Sequence, residues 1–200
     1  MKLVLFNDYR PGLLKGDSVV DLGAIVSPFG AQTGQAAMEA IISHIDDLRD
    51  QLSSLEQEGE GVPLSTMALR PPLPRPNKIL CMGGNFREFG ARQPSPMWGF
   101  LKSSESVIGP GDTVVLPKDY ANIIHHEAKL VLVFGEAGRD VSQRDAMAHV
   151  FGYLAGMDVS ARMPGGGLGD RSQEYNLGAG FAVEVLPDFL PHRSLYSHQR

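Results

Sequence analysis

Two carboxylates stand inside sequence runs that are otherwise apolar. Glu127 lies in IIHHEAKLVLVFG (123–135) and Asp158 in FGYLAGMDVSAR (151–162). Carboxylates are rarely buried unless they are paired or bound to a metal. A hard divalent ion such as Mg2+ takes oxygen ligands of this kind, commonly one or two carboxylates with water and substrate oxygens. The competing reading puts each acid at a strand end, facing solvent or an arginine. Lys129 follows Glu127 by two residues, so strand alternation sets both on one face. His125 shares that face and His126 points away. A zinc site would need a third nitrogen or sulfur ligand, and none is suitably spaced. A histidine hydrogen-bonded to a carboxylate is the use this spacing favours.

Other chemical patterns are excluded. The glycine cluster PGGGLGD (164–170) lacks the Gly-Lys-Ser/Thr ending of a phosphate loop, and reads as a mobile loop. No serine stands in a Gly-x-Ser-x-Gly elbow, and Cys81 has no spaced histidine partner.

The elements that must carry these residues follow from periodicity. KLVLF (2–6) reads as a strand, and RPGLLKGDSVVDL as a hairpin turning at Lys15-Gly16-Asp17. Met38, Ile41, Ile45, Leu48, Leu52 and Leu55 recur at spacings of three and four, which predicts one amphipathic helix ending at EGEG (58–61). PPLPRPN (71–77) reads as a stiff, extended connector between domains. Beyond it, KILCM predicts a strand, then a turn into a short helix. SVIGPGDTVVLP predicts a turn followed by a strand. HHEAKLVLVFG predicts a strand apolar on both faces and therefore central in its sheet. Ser142 and Asp145 form a capping-box pair ahead of a helix to about Val150. FGYLAGMDVSAR and AGFAVEVLP predict two more strands, and PHRSLYSHQR a frayed tail.

The chain has 200 residues, 42% hydrophobic and 20% charged, enough for a substantial core. A net charge of −5 without a Lys/Arg run argues against nucleic acid or an anionic membrane as partner. A single cysteine excludes an internal disulfide and suits a reducing cytosol. MKLVLFNDYR is broken at Asn7 and Asp8, so it does not read as a signal peptide, and no stretch is long enough to span a bilayer. A cytoplasmic protein is the expectation.

Taken in order, RPGLLKGDSVVDL, PPLPRPNKILCMGGNFREFG, MWGFLKSSESVIGPGDTVVLP, IIHHEAKLVLVFG, FGYLAGMDVSAR and NLGAGF resemble the fumarylacetoacetate hydrolase family, bacterial two-domain type, across about residues 2–185. The resemblance implies an α+β, β-rich fold: the family's mixed β-roll, incomplete here, with a small N-terminal α/β domain. The implied boundaries are 1–70 for that domain, 71–77 for the linker, 78–191 for the catalytic-type domain and 192–200 for the tail. It implies a homodimer. It also implies Mg2+- or Mn2+-assisted hydrolysis or cleavage at C–C bonds of small 2-oxo or β-diketo acids, a catabolic chemistry.

The family holds its metal with a Glu-x-Glu strand and a later Asp. Glu127 and Asp158 match two of these ligands, and Lys129 stands at the third. Arg162 matches the family's substrate arginine and Lys102 a position near the substrate, and the resemblance implies a catalytic as well as a substrate-binding part for both. Asn85, Phe100 and Glu88 fall in segments that line the site, Glu88 as a catalytic acid. Phe89 stands where the lid's catalytic histidine is expected. Met163, Gly165 and Ala179 replace a family Asp, Gln and Lys. The family's later strands and Gly-Thr-Pro segment have no counterpart, so a partner or the tail is expected to cover a sheet edge, unless the chain is a fragment. Lys129 changes the charge at the metal position by two units. At ~4 Å, unit charges interact by about 4 kcal/mol at an effective dielectric of 20, and a divalent ion would feel roughly twice that repulsion. The ammonium is instead expected to neutralise Glu127 and Asp158 as an ion triad. The alternative to an enzyme is a metal-free, non-catalytic relative that binds a small acid or a protein partner.

Overall fold

The computed structural model describes residues 1–86, 96, 98–116, 123–162 and 181–184, with backbone alone at 123, 162 and 181–184. Leu3–Phe6 (β1), Arg10–Lys15 (β2) and Ser18–Asp21 (β3) form an antiparallel meander. The expected hairpin is present: Lys15 pairs with Ser18 across a turn in which Gly16 has φ +53°, a left-handed conformation that glycine adopts freely. Gly23–Val26 (α1), Gly34–Ser43 (α2) and Ile45–Glu58 (α3) follow. Val62–Pro63 (β4) and Leu69–Arg70 (β5) complete a sheet ordered β4-β3-β2-β1-β5. On one face Leu5, Leu13 and Leu22 pack against Ile41 and Leu52 of the helices. On the other, Val4, Phe6 and Val19 pack against Leu64, Met67 and Leu69.

The single helix expected over 38–55 is two helices. His44 leaves helical geometry at φ −113°, ψ 21°, and its ring stacks on Phe29 at 4.5 Å between centroids. The hydrogen-bond ladder carries through the bend: His44 N–H donates to Ala40 O, and Leu48 N–H to His44 O, both at 3.0 Å. The apolar stripe keeps its spacing on either side, so periodicity cannot register the bend. The proline-rich segment is also not an extended rod. Residues 71–76 run through bends; Pro71 and Pro72 are buried, and Leu73 packs against the helix-side core. Arg75 N–H donates to Gln35 Oε1 at 2.9 Å, and its guanidinium pairs with Glu105. Proline fixes φ only, so tertiary contacts set the path.

Ile79–Gly83 (β6) and Trp98–Lys102 (β7) form an antiparallel pair. Val107–Ile108 (β8), Ile123–Phe134 (β9), Val150–Arg162 (β10) and Phe181–Glu184 (β11) form a mixed sheet ordered β8-β11-β10-β9, in which only β8 and β11 run parallel. Three expectations need correction. Among the described residues β9 is an edge strand, not a central one, and its outer face leaves Leu130 61% and Phe134 65% exposed. A run apolar on both faces reads as doubly covered, but cover is supplied by other elements and is not encoded in the run. The strand expected after Gly111 does not form over 113–116; the two-residue β8 precedes the turn instead. Ser142 and Asp145 do make the capping contacts, with Asp145 N–H to Ser142 Oγ at 3.3 Å and Ser142 Oγ–H to Asp145 Oδ2 at 2.7 Å. Only a short 3-10 turn, Ala146–His149, follows. His149 O accepts from Gly135 N–H at 3.0 Å, which commits the chain to pairing with β9 before a helix can extend. No helix among the described residues is long and apolar enough to cross a membrane.

Candidate functional site

The long β9–β10 pairing sets the site. Its register places Glu127 opposite Asp158, Lys129 opposite Gly156 and His125 opposite Ser160. Val131 and Leu154 on this face pack against Cys81 of β6 and Phe100 of β7, so the charged residues that alternate with them face the β6–β7 pair. Two carboxylates directly opposite one another repel. Each has an ammonium beside it.

Asp158 is 2% exposed and pairs with Lys102 from β7, whose side chain is 4% exposed. Lys102 Nζ also donates to Val159 O at 2.9 Å and, more weakly, to Ser160 Oγ at 3.5 Å. An ammonium has three donors, so all of them reach protein acceptors. Ser160 Oγ–H in turn lies 3.5 Å from Asp158 Oδ1. Glu127 is different. Its side chain is 48% exposed, and Lys129 Nζ pairs with its Oε2 at 2.6 Å. Lys129 is 26% exposed, and this is the one acceptor it meets among the described residues, so two donors remain directed elsewhere. Gly156, opposite, presents no side chain against it. The expected triad about Lys129 is therefore two separate pairs, because Lys102 reaches Asp158 first. Burial pushes the Cys81 thiol pKa up, and Asp158 adds to the rise; Lys102 and Lys129 oppose it, and Glu127 adds a little more. All four charges thus act on one buried sulfur.

Of the residues singled out from sequence, Glu127, Lys129, Asp158, Lys102 and Phe100 converge. Phe100 has its ring centroid 5.5 Å from that of Trp98 and packs against Cys81. Asn85 is exposed just beyond β6. Arg162 ends β10 opposite Ile123, but its side chain lies outside the described part, as do Glu88, Phe89, Met163, Gly165 and Ala179. Ser160 and Cys81 were not singled out as site residues. Ser160 was findable, since it alternates with Asp158 on one face; Cys81 gave no signal beyond its strand.

A divalent ion fits this donor set poorly. Each carboxylate already carries an ammonium, and no group of three His, Cys, Asp or Glu side chains able to hold a metal occurs among the described residues. Two carboxylates and two ammonium groups sum to zero charge, which leaves nothing to neutralise a dication.

The family model described as fumarylacetoacetate (FAA) hydrolase C-terminal matches residues 78–165, the segment that holds β6, β7, β9 and β10. Residues 78–165 match the fumarylacetoacetate hydrolase family. Among relatives in the family, an oxaloacetate tautomerase of Xenopus laevis is 29% identical over 160 residues, 75% of this chain and 47% of that protein. The oxaloacetate tautomerase YisK of Bacillus subtilis is 37% identical over 106 residues, 50% of this chain and 35% of that protein. The chain thus spans less than half the length of either. A maleylpyruvate hydrolase from Sphingobium sp. SYK-6, crystallised with manganese(II) and pyruvate, superposes with a TM-score of 0.74 at 28% identity, over 92% of this chain and 65% of that one.

Proposed function

We propose that the chain binds a small, enolisable 2-oxo acid on the β9–β10 face beneath β6–β7, and interconverts its keto and enol forms. The carrying observation is the buried Lys102–Asp158 pair set beside the half-exposed Lys129–Glu127 pair on that face. Enzymes place buried charge where a substrate's charge must be met. The relatives' names support the substrate class: oxaloacetate and maleylpyruvate are both 2-oxo acids able to enolise. Keto–enol exchange needs one proton moved from carbon to oxygen and no activated water. It is therefore the reaction least affected by Phe89 standing where a histidine base is expected for hydrolysis. In this proposal Glu127 takes the proton from carbon and delivers it to the oxo oxygen, and Lys102 holds Asp158 in place. Ser160, the most distant acceptor of Lys102, yields to substrate, and Arg162 takes the acid's carboxylate. Hydrolysis of an acylpyruvate is the second reaction to test.

A second proposal, binding without turnover, is favoured by the ammonium at position 129. Following the enol absorbance of oxaloacetate and of an acylpyruvate separates the two. Acceleration over buffer, lost in Glu127→Gln, supports catalysis. Saturable binding without acceleration supports the binder, and neither binding nor acceleration defeats both.

A further inference from the structure

We infer that this chain carries its own cation in place of a divalent metal: the Lys129 ammonium serves as the positive centre for a 2-oxo acid, which binds without Mg2+ or Mn2+. The inference rests on the 2-oxo-acid reading for its ligand, but not for its cation claim. Lys129 lies two residues from Glu127 on the same strand and reaches it at 2.6 Å, so its position is set by the backbone and by a charge-assisted bond. It is partly exposed, and among the described residues two of its N–H groups remain to donate to an anion. Lys102 differs, since its donors are used internally. Exchanging Lys129 for glutamate would turn a neutral four-charge cluster into one of net charge −2, which matches a dication. One substitution therefore separates an internal cation from an external one. Binding by ammonium alone also predicts a ligand held at its anionic oxygens, with no chelation by adjacent carboxylate and carbonyl oxygens.

Isothermal calorimetry tests both halves. MnCl2 is titrated into the wild-type chain, Lys129→Glu and Lys129→Gln; sodium pyruvate is titrated into the wild type and Lys129→Gln, each with EDTA and with MnCl2. The expected result is no Mn2+ binding below millimolar concentration in the wild type, and at least a hundredfold gain in Lys129→Glu. Pyruvate affinity should stay within about twofold between EDTA and MnCl2, and fall at least tenfold in Lys129→Gln. Micromolar Mn2+ binding by the wild type overturns the inference, as does pyruvate binding that requires Mn2+ while the 2-oxo-acid reading survives. No gain in a folded Lys129→Glu, by circular dichroism, also overturns it. Absence of pyruvate binding under every condition defeats the ligand half together with the 2-oxo-acid reading, and the Mn2+ titrations still decide the cation half.

Discussion

A buried ammonium and a partly exposed one differ sharply in what their removal costs. Lys102→Met leaves the Asp158 carboxylate buried without its partner, and such losses cost about 3–5 kcal/mol. Lys129→Met leaves Glu127 open to water, where comparable pairs contribute about 0–1 kcal/mol. Urea denaturation of both variants should show this order; equal losses would mean that the two pairs are equally buried. Cys81 gives a pH prediction. Its folded-state pKa is raised, first by burial, so the folded chain holds the thiol proton after the unfolded chain has lost it. The associated stability is fully present below the ordinary thiol range, about 8.5, and declines as pH rises from there through the raised native value. Melting temperature should therefore fall more steeply above about pH 8.5 in the wild type than in Cys81→Ala. Parallel curves would show that the thiol is not buried. Alternation alone placed Glu127, Lys129 and His125 on one face, and that much of the site was legible. The partner of Asp158 was not, because Lys102 comes from another sheet, 57 residues before Val159, whose carbonyl it also engages.

At the scale of elements, local signals were sound where the chain decides its structure locally. The Lys15–Ser18 turn is one such case, and the N-cap of α2 is another, with Ala36 N–H donating to Thr33 Oγ1 at 3.1 Å. Thr33→Ala should cost about 1 kcal/mol by thermal or chemical denaturation. Signals failed where distant contacts decide. The Ser142–Asp145 capping box is formed but yields no α-helix, since His149 is recruited to Gly135. The stripe over 38–55 was correct about which residues are buried and silent about the bend at His44. Because Ile41 and Leu52 lie on opposite sides of that bend and are both fully buried, truncating either to alanine should cost about 2–5 kcal/mol. A loss under about 1 kcal/mol at either site would mean that one helix is not docked on the sheet.

For the molecule as a whole, apolar surface is the feature that sequence patterning misjudged. Leu130, Phe134, Leu132 and Met157 stand on the outer face of β9 and β10, all at least 40% exposed. A contiguous apolar strip on an edge-strand face promotes association. Light scattering is expected to report a mass above one chain, falling toward one chain in Leu130→Lys/Phe134→Lys, with hydrophobic-dye fluorescence falling in parallel if a fraction stays unassociated. An unchanged mass and dye signal in that variant would remove the strip as the cause. The front sheet has a different consequence. β1 is flanked by β2, its immediate successor, and by β5, whose Leu69–Arg70 lie more than sixty positions downstream. Asn7 fastens the same junction, donating to and accepting from Ala68. During synthesis β1 must therefore wait, half-zipped, until α1, α2 and α3 have emerged behind it. A nascent chain arrested before residue 69 should be cut by protease near its start, and one released after it should resist.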